Sequence, residues 1–163
     1  MPNCTRTERL LIKAQGKDRS MKLAFTSCMD ADDHDSQPVW RHIQDQQPDV
    51  LMLLGDQIYM DWDPTALFDE SPVRKRLDRN PDRHLPKFAR EMHDRYAMQW
   101  DVPEFQELIR DFVKRQGGAQ LLVTWDDHDF AWNNSCGAGD PNKPRYVKPD
   151  VAEVSRKLFN QFV

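Results

Sequence analysis

The sequence predicts an α/β fold built on a parallel sheet, and three observations carry that expectation. Short, mostly apolar runs at residues 22–26 (KLAFT), 50–54 (VLMLL) and 121–123 (LLV) read as buried strands. Stretches with helical spacing of apolar residues separate them, the order of strand–helix–strand units with parallel pairing. Each run also empties into polar, acid-rich residues, and open α/β sheets deliver their chemistry at such strand ends.

Taken in order, residues 1–20 hold only the short apolar run LLI and read as an N-terminal extension, and residues 21–163 as one domain. The acidic loop MDADDHDSQ follows the first strand. Pro38, Val39, Trp40 and Ile43 then start a helix, with Ser36 as its cap, and Pro48-Asp49 ends it. The 50–54 run is the clearest buried strand, closed by Gly55-Asp56. Residues 63–85, interrupted by Pro64, Pro72 and Pro81, read as a long loop or cover segment, with a helix from about Pro86 to Trp100. Pro103 opens the next helix, where Phe105, Leu108, Ile109, Phe112 and Val113 form one apolar stripe. Gly117-Gly118 ends it before the third strand. After a Gly/Pro-rich loop at 135–149, Asp150 is the expected cap of a last helix, with Glu153 three residues on.

A net charge of -4 argues against a broad basic grip on nucleic acid. A secretory signal needs an apolar core of about 7–15 residues, and a membrane span about 18 or more. The sequence offers neither, so no membrane association is expected. Cys4, Cys28 and Cys136 are odd in number and scattered, which favours reduced thiols and a cytoplasmic protein. The oligomeric state stays open.

The chemistry gathers at the strand ends. The first offers Cys28, Asp30, Asp32, Asp33, His34 and Asp35. The second offers Asp56, Tyr59 and Asp61, and the third Asp126, Asp127, His128, Asp129 and Asn134. A parallel sheet points all three ends to one rim, where crowded acids repel and a cation relieves them. Carboxylate and amide oxygens suit calcium, magnesium or manganese, whereas a thiolate with a phenolate favours a transition metal such as iron.

These segments (TSC, PDVLMLLGDQIYMD, RYAMQWDVPEFQELI and LVTWDDHDFAWNN, in that order) resemble the signatures of the PhoD-like alkaline phosphatase/phosphodiesterase family of calcineurin-like metallophosphoesterases. The resemblance covers roughly residues 21–162. It implies an α/β/β/α sandwich and a cluster of iron and calcium, other divalent metals being possible. It further implies a small phosphate-ester substrate, hydrolysed by a metal-activated water. By motif, Cys28, Asp56 and Tyr59 match metal ligands, as do Asp127 and Asn134, and His128 matches the catalytic proton donor or transition-state partner. After His128 the chain holds no histidine, whereas the family draws further histidine ligands from a C-terminal half. The resemblance therefore implies the first half of the domain. The alternative is a catalytically incomplete, metal-binding fragment of such an enzyme.

A rival phosphatase chemistry uses a nucleophilic aspartate. Asp30-Ala31-Asp32 follows a strand, but Asp30 lies beyond Ser27-Cys28, and His34 stands where that motif wants Thr or Val. A cysteine phosphatase wants Arg in the sixth place after its Cys, and His34 is there instead.

Overall fold

The computed structural model describes residues 8–13, 20–31, 36–61, 71–115 and 119–163. In chain order these form β1 (Glu8–Lys13), β2 (Ser20–Thr26), α1 (Val39–Gln46), β3 (Val50–Leu53), α2 (Pro72–Arg79) and α3 (Pro81–Asp101). The remainder are α4 (Pro103–Lys114), β4 (Gln120–Val123), α5 (Asp127–Phe130) and α6 (Pro149–Phe162).

The sheet runs β1-β2-β3-β4, with β2, β3 and β4 mutually parallel and β1 antiparallel at one edge. The expected α/β class is what the chain adopts. One sheet lies among the described residues; the second sheet of the expected α/β/β/α sandwich is not among them. β1 falls within the stretch read as an extension, a strand that the short LLI run did not signal.

One sheet face buries Ala24, Leu51 and Leu53 beneath α1 and α4, against Trp40, Ile43, Phe105 and Leu108. The opposite face carries the cross-strand row Phe25, Met52 and Leu122, of which Leu122 is 47% exposed. The third strand is therefore not the buried run the sequence suggested. Among the described residues it is the last strand of the sheet, and no described element covers the face that carries Gln120 and Leu122, whose side chains meet solvent. A second core joins the segment after β3 to α2, α3 and α6, through Ile58, Met60, Phe88, Met92, Tyr96 and Trp132. The long α3 spans both cores, because Trp100 packs against each.

Several expected boundaries shift, each for a local reason. The segment read as a loop holds α2 and the start of α3 in its described part, and residues 62–70 lie outside the described residues. Pro72 and Pro81 occupy first-turn positions, where a missing N–H costs nothing, and so they open helices rather than break them. Ser71 Oγ and Asn80 Oδ1 cap the two helices by accepting from the Arg74 and Arg83 amides. Pro38, not Ser36, is the residue before α1, and Ser36 donates instead to Glu104. Lys148 precedes α6, so Asp150 lies in its first turn rather than at its cap. Val113 is 79% exposed, beyond the buried stripe of α4.

Candidate metal centre

The strand exits meet because their loops hydrogen-bond side by side. Leu54 N donates to Thr26 O (2.8 Å) and Thr124 N to Leu53 O (2.9 Å). Cys28 N and Met29 N donate to Gly55 O and Asp56 O, at 3.2 and 2.7 Å. Gly55 adopts φ +99°, and a Cβ there would stand 2.6 Å from Asp126 Cβ and 2.7 Å from Asp126 N. Only glycine allows the β3 exit to approach the β4 exit so closely.

Backbone strain concentrates at the same rim. Among the described residues, Cys28 (φ +61°), Gln47 (+48°), Asp56 (+53°) and Asn134 (+59°) are the non-glycine residues in the left-handed region. Gln47 ends a helix, where that conformation is ordinary. The other three are residues the sequence nominated as metal ligands. Such conformations cost on the order of 1–3 kcal/mol each and persist where surrounding structure enforces them, commonly at functional sites.

Asp56 is the hub. Its carboxylate, that of Asp127 and the His128 ring present ligand atoms all within 4.8 Å of one another. Asp56 Oδ2 accepts from Tyr59 OH (3.4 Å) and lies 3.7 Å from Cys28 Sγ. Asp56 Oδ1 is buried with no hydrogen-bond partner among the described residues. Burial lifts the Asp56 pKa above the usual carboxylate range; Asp127 and Asp126 add to the rise while His128 opposes it. Asp127 is held by the Asn134 amide, which donates to its Oδ2. It is this backbone N–H that ties Asn134 to the cluster.

His128 is buried, packs 4.4 Å (centroid to centroid) from the Tyr59 ring, and sets Nδ1 3.2 Å from Asp61 Oδ1. Burial works against its protonation. The Asp61 contact and the charges of Asp56 and Asp127 outweigh that, and the imidazole pKa is raised. Asp61 is itself steadied by the Asn133 amide, at 3.2 and 3.1 Å from its two oxygens. The sequence offered Asp61 among the rim acids without this orienting part.

Asp129 has a different task, which its place in an acid-rich run concealed. It is 0% exposed. Its Oδ1 accepts from Gln57 N (3.0 Å) and Tyr96 OH (3.1 Å), and its Oδ2 from Asp126 N (3.0 Å). One carboxylate thus links the β3 exit, α3 and the start of α5. The Asp126–Asp129 spacing, a capping box, was the available signal. Burial pushes the Asp129 pKa up to about 7 against the lowering effect of its three donors.

The residues therefore bring together Cys28, Asp56, Tyr59, Asp127 and His128, with Asn134 behind Asp127. Crowded, half-buried acids with an unpartnered oxygen, beside imidazole, thiol and phenol groups, suit a cation by donor chemistry and by charge. Asp32, Asp33, His34 and Asp35 lie outside the described residues.

An α/β domain with ligand-type side chains gathered at the C-terminal rim of parallel strands belongs to the broad class that works through strand-end loops. More narrowly, the chain belongs to the PhoD-like phosphatase family, whose model matches residues 23–158, a span containing every rim residue named above. No curated protein and no solved structure matches the chain. Among the described residues, no helix is long and apolar enough to cross a membrane.

Proposed function

We propose that this chain is a metal-dependent phosphoesterase acting on small phosphate esters, with iron and calcium as its metals and the cytoplasm as its location. Family membership supports phosphoester hydrolysis. The observation that carries metal dependence is the meeting of the Asp56 and Asp127 carboxylates, from two different strand exits, within 4.8 Å, with Asp56 Oδ1 buried and unpartnered among the described residues. When bound, the metals supply Lewis acidity toward the phosphoryl oxygens and acidify an attacking water.

The chain's own groups do the rest. Asp56 and Asp127 would hold the cations, with Cys28 and Tyr59 offering softer donors on the Asp56 side and Asn134 supporting Asp127. His128, whose basicity is raised by Asp61 and the neighbouring acids, is placed to give a proton to the departing alkoxide oxygen. Tyr59 packs against the ring and limits its rotation.

The test is elemental analysis of the purified chain beside Asp56→Asn, with hydrolysis of p-nitrophenyl phosphate and bis-p-nitrophenyl phosphate measured in parallel. Iron or calcium near stoichiometric in the parent, lost with turnover in the variant, is the expected result. Equal metal content in both proteins, or turnover indifferent to chelation, would refute the assignment.

A further inference from the structure

A cavity of about 430 Å³ opens beside the rim, lined by Ser71, Trp132, Asn133, Asn134, Lys143 and Arg145 among others. That volume falls within the range of small-molecule sites and exceeds what a phosphoryl group alone needs. It shares a wall with the metal centre: Asn134 N donates to Asp127 and Asn133 N to Asp61. Its polar lining consists of a hydroxyl, two amides and two cations, with no described carboxylate, in a chain of net charge -4. Lys143 and Arg145 are exposed, and neither side chain pairs with an acid among the described residues. The loop that presents them is anchored: Trp132 Nε1 donates to Pro144 O (3.2 Å), and Cys136 and Tyr146 form a parallel bridge.

We infer that this cavity receives the alcohol portion of the substrate, and that Lys143 and Arg145 select esters whose alcohol portion carries a second anionic group. The inference rests on the phosphoesterase reading, since that reading places the phosphoryl group at the adjoining rim. A substrate whose alcohol portion carries a second anionic group meets these two cations in the cavity while its phosphoryl group lies at the adjoining rim. A substrate lacking the second anion leaves both cations solvated and gains nothing from them.

The test uses a matched pair of non-hydrolysable probes, 4-phosphonobutyrate and butylphosphonate, titrated calorimetrically into the protein as purified, at low ionic strength. A charge-assisted hydrogen bond predicts at least about tenfold tighter binding of 4-phosphonobutyrate. Lys143→Ala/Arg145→Ala abolishes the preference, while Lys157→Ala, a surface cation on α6, leaves it intact. Equal affinity of the parent for the two probes, or an unchanged preference in the double variant, overturns the inference. Hydrolysis of p-nitrophenyl phosphate separates the two readings. Turnover without the probe preference removes the cavity's role alone, whereas the preference without turnover leaves Lys143 and Arg145 as an anion site and overturns both the phosphoesterase reading and the cavity's role in receiving the ester's alcohol portion.

Discussion

Asp129→Ala tests whether the rim is held by one buried carboxylate. The substitution deserts three donors: Gln57 N, Tyr96 OH and Asp126 N. An unpaired buried donor costs about 1–3 kcal/mol. Gln57 and Tyr96 are each 0% exposed and bear that cost in full, whereas Asp126 is an exposed residue whose bond to Asp129 is only part-buried and costs less to lose. Removing a desolvated carboxylate returns part of the loss. The balance is a destabilisation of about 3–4 kcal/mol, near the upper end for point substitutions. With a urea m-value of about 2 kcal/mol/M, the midpoint falls by about 1.5–2 M, read by tryptophan fluorescence. Asp129→Asn retains one acceptor oxygen for Gln57 and Tyr96 but opposes an amide donor to Asp126 N, so it loses about half as much. The pH dependence is a second signature. Asp129 releases its proton near 7 when folded and near 3.8 when unfolded. Between those values the folded state binds more protons, so this group makes stability fall as pH rises from about 4 to 7. The Asn variant lacks that decline. An alanine variant within about 1 kcal/mol of the parent would refute the anchoring role.

Two further outcomes test the rim's backbone and its proton donor. Gly55→Ala combines a positive φ with a Cβ 2.6 Å from Asp126 Cβ, so a loss of about 2–4 kcal/mol and weakened metal retention are expected. An unchanged melting temperature would show that the two strand exits are not in contact. His128→Gln is expected to lower turnover by about 10²–10⁴-fold, most strongly for esters with poor leaving groups. A uniform loss across leaving groups would instead make His128 a ligand rather than a proton donor.

Composition and periodicity determined the α/β class, the three parallel strands and four of the helices, because burial on one face writes a period into the chain. The motif residues Cys28, Asp56, Tyr59, Asp127, His128 and Asn134 were likewise nominated from one dimension, since acids, thiol and imidazole at successive strand ends need no coordinates to stand out. Proline misled over residues 72–85, because its effect depends on whether it opens a helix turn or interrupts one. Only the folded chain decided which acid does what. Asp56, Asp61, Asp127 and Asp129 are chemically identical carboxylates, and their tasks differ through what meets them: an unpartnered buried oxygen, a histidine ring, the Asn134 amide, or three donors from distant segments. The exposure of Leu122 and the cavity beneath Lys143 and Arg145 are equally tertiary. Both depend on which surfaces neighbouring elements leave open, and that information is not local to any stretch of sequence.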